Sequence, residues 1–484
     1  MYFSAPATLK PQARRYLMIQ KQITIIVSDL HLGGGKSDPG DDHVYHKEQF
    51  SKFISSGIPE SKDGRVELFI NGDFLEFAQV RPDVYSLGSA KYWCSENESV
   101  EKLSAILSGH ENIFLALREF QDRGNQVTLA AGNHDVDLYW PHVQRDIRKA
   151  AGPVGFGLGE DWHSRYNGRL LIGHGHQFDP ANKFKKWRNP ILKGPKGTAR
   201  LEMCPGTLFM VKFVNWLDSK YHFADNVKPI TTLAKLIYKE PQGGFKTALW
   251  MLSKFAGRHP VASLGVKGQD SKEISNFGTV ILDKVVSNDQ FAEQISDLYH
   301  RMGNRKMTPK KAREKLRTED ELFDFLQDVI LKLSPDVWLP VFNLSTSATL
   351  GIGRRKDRTL SIIRSGIAKD KEILREKAES RLIGSLTEVV VCGHTHQPDE
   401  WRGPDGKWDG GYFNPGSWTR FVNIKDVPNL TLEDLKQEKD FPYQLNYIRI
   451  EQDPRDKLRG DKICYEEKQG ARWSLPKPLK QPSR

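Results

Sequence analysis

Five short blocks of Gly, Asp, Asn and His, each placed where an apolar run ends, constrain this chain more than any other feature. They are SDLH at 28–31, NGDFLE at 71–76, GNHD at 132–135, GHGH at 173–176 and GHTH at 393–396. Taken alone, any one of them is an ordinary turn or a helix cap. Five together point to a metal site at the carboxyl ends of a sheet, where strands fix the ligands and glycine lets the backbone turn close to an ion.

The segments between the blocks alternate strand and helix. Ile23–Val27 reads as a buried strand, 46–56 as a helix and 66–70 as a second strand. After an irregular stretch rich in Tyr, Ser and Gly, a helix over about 111–123 places Ile113, Phe114, Leu117 and Phe120 on one face, and Gly124 stops it. A strand at 127–131 delivers GNHD, and a helix-like segment begins at Pro141. This order predicts an α/β fold with parallel pairing. The run HSRY-NG-RLLI predicts a hairpin whose Asn167-Gly168 pair suits a type I′ turn and leads into GHGH.

From about 179 to 384 the strand signals thin out, and the pattern predicts an inserted helical domain. Thr318 with Glu321 resembles a capping box, and Leu322, Phe325, Leu326, Val329 and Leu333 follow at helical spacing before Pro335. A last helix near 370–383 stops at Gly384, and a strand at 388–392 presents GHTH. The GGYFNPGSW segment ending at Trp418 and a strand around 445–450 close the core. The expected division is a leader at 1–22, a core at 23–180 and 385–452, a helical insertion or lid at 181–384, and a basic tail at 453–484.

A chain of 484 residues exceeds the usual single-domain size, which agrees with a core plus a large insertion. Its formal net charge of +11 favours polyanions: phosphorylated substrates, nucleic acid or an anionic membrane surface. Cys94, Cys204, Cys392 and Cys464 are far apart and form no CxxC pair, which argues against a disulfide framework or a structural zinc site. No signal peptide is legible, and no run approaches the ~20 apolar residues of a membrane span. A cytoplasmic location is expected, with peripheral membrane contact as an option.

Carboxylate, amide and imidazole ligands without thiolate suit Mn, Fe or Zn, with Mn favoured by the Asp and Asn oxygens. The blocks offer too many ligands for one ion. Two ions ~3.5 to 4 Å apart would clamp both the attacking and the leaving oxygen of a phosphoryl group.

In their order and content the blocks resemble the calcineurin-like metallophosphoesterase superfamily, whose pattern is D-x-H, GD, GNH[DE], a GH-type block and GH-x-H. The resemblance covers roughly 23–180 and 388–418. It implies a four-layer α/β/β/α sandwich and a binuclear centre. Asp29, His31 and His396 would hold one ion, Asn133, His174 and His394 the other, and Asp73 would bridge them. It also implies a catalytic pair: His134 beside the leaving group, with Glu76 orienting it. The expected reaction is hydrolysis of a phosphodiester or pyrophosphate bond by direct attack of a metal-bridging hydroxide. Asp135 reads as a turn or cap residue and His176 as a substrate contact.

The region after GHGH is basic. Lys183, Lys185, Lys186, Arg188, Lys193, Lys196 and Arg200 occur with no acid between Pro180 and Leu201, and Phe184 and Trp187 are interleaved. Lys183, Lys186 and Arg188 are therefore candidate contacts for further phosphates, unless they are simply a solvated face. The chain is most similar to the UDP-2,3-diacylglucosamine pyrophosphohydrolase-like branch, which also carries a lid between the GH-type block and GH-x-H. Here the insertion is longer, and His134 stands where that branch has arginine, so the resemblance carries the reaction class and not a lipid substrate. Two alternatives remain at this level: a nuclease acting on DNA or RNA, suggested by the basic insertion, and a non-catalytic binding scaffold of the same fold.

Overall fold

The computed structural model describes residues 23–35, 47–215 apart from Ala90 and Pro180, 221–223, 226, 282–318, 371–422 and 429–475, with scattered positions between 321 and 341. The expected leader at 1–22, Leu326 and Pro335 lie outside the described residues. Strands β1 (Ile23–Val27), β2 (Val66–Asn71), β3 (Gln126–Ala130) and β4 (Gly155–Gly157) alternate with helices α1 (Lys47–Lys52), α2 (Glu96–Gly109), α3 (Glu111–Asp122) and α4 (Pro141–Ala151). Two hairpins follow, β5 (His163–Arg165) with β6 (Leu170–Ile172), and β7 (Ile191–Lys193) with β8 (Ala199–Leu201). Helices α5 (Asp289–Arg301) and α6 (Pro309–Lys315) come next, then a helix at 371–382. The chain closes with β9 (Val389–Val391), β10 (Asp399–Trp401), β11 (Gly411–Asn414), β12 (Tyr443–Gln452) and β13 (Leu458–Lys468).

The fold is mixed α/β. One sheet has the order β13-β12-β1-β2-β3-β4, with β1 to β4 parallel and β12 and β13 antiparallel beside β1. A second sheet has the order β10-β11-β9-β6-β5, with β6, β9 and β11 parallel. Parallel strands covered on both faces read as continuous apolar runs, and ITIIV and VVV do so. Ile25, Val27, Leu68, Ile70, Val127 and Leu129 share a cluster with α2, α3 and α4. The opposite faces, through Ile26, Phe69 and Ala130, meet Leu170, Ile172, Val389, Val391 and Phe413 of the second sheet. That sheet's other face, through Val390, Cys392 and Tyr412, packs on Leu374, Ala378 and Leu382 of the helix at 371–382.

Several expectations hold locally. Helix α3 buries Ile113, Phe114, Leu117 and Phe120, each stabilising by roughly 2 kcal/mol. At the 163–172 hairpin, Arg169 N–H donates to Tyr166 O, and Asn167 (φ 55°) and Gly168 (φ 90°) take the two central left-handed positions, with Tyr166 (φ 49°) left-handed before them. Thr318 and Glu321 form their capping box, the Thr318 N–H donating to Glu321 Oε2 at 2.9 Å.

Three expectations need correction. The stretch before α3 is not irregular throughout: 96–109 is helical, with Ser95 and Glu98 as its capping box. Its apolar stripe in sequence is short, with Val100, Leu103, Ile106 and Leu107, of which only Leu103 and Ile106 are fully buried. Residues 191–201 form a β hairpin where a helical insertion was expected, and Phe184, Trp187, Leu201, Met203 and Cys204 join the main core. The supposed tail contains β13, which pairs with β12 from Tyr443↔Lys468 to Gln452↔Leu458. As an edge strand it buries few side chains, so LRGDKICYEEK carries no apolar run to betray it. Among the described residues no helix is long and apolar enough to cross a membrane.

Candidate metal centre

Five of the parallel strands deliver ligand-type side chains from their carboxyl ends. Asp29 and His31 follow β1, Asp73 follows β2, Asn133 follows β3, His174 follows β6, and His394 and His396 follow β9. The chain turns sharply at these points: Asp29, His31, Asp73, His394 and His396 all have φ between 51° and 68°. Left-handed backbone costs a non-glycine residue about 1 kcal/mol or more and persists only where its surroundings enforce it. Here the loops are zipped together. Asp29 N–H donates to Gly72 O, His31 N–H to Asp73 O and Leu32 N–H to Phe74 O, while His394 N–H donates to Asp29 Oδ2 at 3.0 Å. Gly132 is required for the same closeness, since a Cβ there would overlap Asp73 Oδ1.

Besides a cluster of His31, Glu76 and His134, two groups of ligand-type atoms result, the atoms of each within 4.8 Å of one another: Asp29, His31, Asp73 and His396, and Asp73, His174 and His394. Asp73 belongs to both. Its Oδ2 lies 3.0 Å from His174 Nε2 and 3.9 Å from His31 Nε2. His31 Nε2 in turn lies 3.0 Å from His396 Nε2, and His396 Nε2 is 3.5 Å from Asp29 Oδ1. Burial lowers the proton affinity of His174, and the Asp73 carboxylate more than reverses this, so the imidazole ends above its usual range. Burial likewise opposes the charged form of Asp73, yet His174, His134 and His31 hold its carboxyl well below the usual range. The pocket therefore favours positive charge beside Asp73.

The donor set fits a hard or borderline divalent cation, being oxygen and imidazole nitrogen without thiolate. Asn133 Oδ1 is buried with no hydrogen-bond partner among the described residues, the condition of an amide oxygen reserved for an ion. The imidazoles are held from behind. His174 Nδ1–H donates to Asn71 O at 2.8 Å, and His31 Nδ1 meets Glu76 Oε2 at 2.7 Å, so in both rings Nε2 is the nitrogen turned toward Asp73 and the one that could meet a cation once its proton is displaced.

Glu76 does more than the sequence suggested. Its Oε2 also lies 2.6 Å from His134 Nδ1, so one buried carboxylate orients both histidines. Burial pushes the Glu76 carboxyl up, but the two imidazoles, His134 foremost, hold it well below the usual carboxylate range. Asp135 caps no long helix. It accepts from the N–H groups of Gly132 (2.6 Å), Phe74 (2.8 Å) and Asp73 (3.3 Å), tying the β2 and β3 loops together.

The expected substrate contacts fare differently. His176 is buried, both ring nitrogens lack hydrogen-bond partners among the described residues, and its ring meets Trp187 edge to face at 4.3 Å. Burial, with the nearby His174 and His394 imidazoles, holds it neutral. Lys183, Lys186 and Arg188 are exposed, on a segment anchored by buried Phe184 and Trp187. Asn414 and Ser417 are buried, and Asn414 Nδ2 donates to Gly393 O and Thr395 Oγ1, which shapes the GHTH turn.

Sequence reasoning missed Asp179 and Asn182. Asp179 Oδ2 lies 3.1 Å from His394 Nε2, and Asn182 Oδ1 accepts from Asn133 Nδ2 at 3.3 Å. Their one signal was an Asp and an Asn close behind GHGH, in a stretch noticed for its lysines. A comparison of the chain with protein-family models gives no match, and a search of curated proteins gives none either.

Proposed function

We propose that the chain is a binuclear-metal-dependent phosphoesterase hydrolysing a phosphodiester or pyrophosphate bond in an anionic phosphorylated substrate. The observation that carries this reading is the Asp73 carboxylate common to both groups of ligand-type atoms. Asp29, His31 and His396 would hold one ion, Asn133, His174 and His394 the other, with Asp73 between them. Two divalent ions, Mn²⁺ foremost with Fe or Zn as alternatives, would activate water and neutralise charge on the phosphoryl oxygens.

His134 is the imidazole that Glu76 aims. Its side chain is 11% exposed, against 1% for His31, so it borders the space a substrate can enter. With Nδ1 2.6 Å from the Glu76 carboxylate, Nε2 would be the nitrogen that donates a proton to the departing oxygen. Glu76 acts through His134 and His31 and is a positioning residue.

The same reading takes the layers as an α/β/β/α sandwich, supported by the separate clusters on either side of each sheet. It takes α5 and α6 as part of an inserted lid, because Phe291, Ile295, Leu298, Ala312 and Leu316 form a cluster of their own. Free Cys94, Cys204, Cys392 and Cys464 fit a cytoplasmic location. The nuclease alternative drew on the basic insertion, whose interleaved Phe184 and Trp187 are buried rather than offered for stacking.

The test is turnover of a generic aryl phosphodiester with Mn²⁺. Activity should vanish on chelation and return with metal, and His134→Ala should lower kcat by about 10²- to 10⁴-fold with metal content unchanged. Full turnover after exhaustive chelation rejects the proposal. Fewer than one bound ion per chain would favour the scaffold reading.

A further inference from the structure

A hydrogen-bonded chain of four side chains joins two of the ligand-type residues through two others. His394 Nε2 meets Asp179 Oδ2 at 3.1 Å. Asn182 Nδ2 donates to the same Asp179 oxygen at 2.6 Å. Asn182 Oδ1 then accepts from Asn133 Nδ2 at 3.3 Å.

The chemistry of the groups sets the direction of every bond. An ionised carboxylate only accepts, so His394 must present a protonated Nε2 to Asp179, which leaves the lone pair on Nδ1. For the same reason Asn182 must turn its NH₂ toward Asp179, which places its carbonyl oxygen toward Asn133. That oxygen accepts only from the Asn133 NH₂, so Asn133 Oδ1 is turned the other way. This is the buried oxygen with no partner.

The backbone holds the two intermediaries in place. Ala181 N–H donates to Asp179 Oδ1 at 2.9 Å, and Gly206 N–H donates to Ala181 O at 2.7 Å. Gly206 also leaves room for the amide, since a Cβ there would overlap Asn182 Oδ1.

We infer that Asp179 and Asn182 are positioning residues for the second ion: Asp179 sets the tautomer of His394, and Asn182 sets the facing of the Asn133 amide. The inference rests on the binuclear reading above. The four side chains do not include those of Asp29, His31 and His396, and Asp29 accepts from the His394 backbone N–H rather than from its ring, so loss of the chain should fall on one ion and not the other.

The experiment is calorimetric titration of metal-stripped protein with MnCl₂, followed by electron paramagnetic resonance of the loaded protein. The wild type takes two ions and gives the exchange-coupled signal of a Mn²⁺ pair. Asp179→Asn and Asn182→Ala keep the first ion at wild-type affinity, bind the second about 10- to 100-fold more weakly, and give an uncoupled signal at one equivalent and beyond. Gly206→Ala, which displaces the Asn182 amide without touching a ligand, gives the same pattern and serves if either polar variant fails to fold. Lys185→Ala, exposed on the same segment, leaves both ions unchanged. Variants that bind both ions as the wild type does overturn the inference alone. Loss of both ions with unchanged circular dichroism also overturns it, because the effect would then not be confined to one ion. A wild type that binds no Mn²⁺ overturns the binuclear reading and this inference with it.

Discussion

Buried carboxylates in this protein divide by what surrounds them. Asp73 and Glu76 stand among imidazoles and stay ionised, whereas Asp137 stands among neutral donors. It accepts from Trp93 Nε1 at 2.9 Å and from Ser99 Oγ, with no ion-pair partner at hydrogen-bond distance among the described residues. Burial pushes its carboxyl up to about 6, against the ordinary 3.8, and the two hydrogen bonds offset only part of that. A carboxyl whose folded value is raised binds its proton more tightly folded than unfolded. Its contribution is fully present below about 4 and is lost as pH rises through about 6, a change on the order of 3 kcal/mol. Asp137→Asn keeps the shape and removes the titration. Urea unfolding at pH 4.5 and pH 7.5 should therefore show a smaller loss of stability for this variant than for the wild type. An equal loss in both would refute the assignment.

At the scale of elements, β13 is the segment whose contribution is least apparent from its composition. It covers the whole of β12 in antiparallel register, Leu458 joins the cluster between the sheets, and Tyr465 stacks near Phe53 and Trp418. A chain ended after Asp456 would expose β12 as a long unpaired edge, which invites association. It would also lose the burial of Leu458 and the aromatic contacts, at a cost of at least about 3 kcal/mol. Unfolding and size-exclusion profiles of that truncation distinguish the possibilities. A dispensable tail leaves both unchanged, and a structural strand lowers the midpoint and produces larger species.

For the whole molecule, a centre drawn from five strands in two sheets ties ligand binding to global stability. Each ion that binds only the folded chain stabilises it by about 2.7 kcal/mol at a hundredfold excess over its Kd. Scanning calorimetry of stripped protein with added MnCl₂ should move the transition of the two-sheet core upward by several degrees. A transition that does not move would mean that the ligand-type residues bind no Mn²⁺ in the native state. Much of this architecture was legible beforehand, because the information was local. Ile23–Val27 is a strand because it is an unbroken β-branched and mostly apolar run, α3 is a helix because its apolar residues recur at helical spacing, and the blocks stand out because Gly, Asp and His interrupt such runs together. The class of donor atoms follows from residue identity alone. What waited for tertiary structure was everything that depends on proximity between distant residues: Asp73 lying in both groups, Glu76 serving two histidines, and Asp179 with Asn182 reaching His394 and Asn133. Such contacts leave no periodicity in the chain, since they arise only when β3, β6 and β9 end side by side and their turns are pressed together.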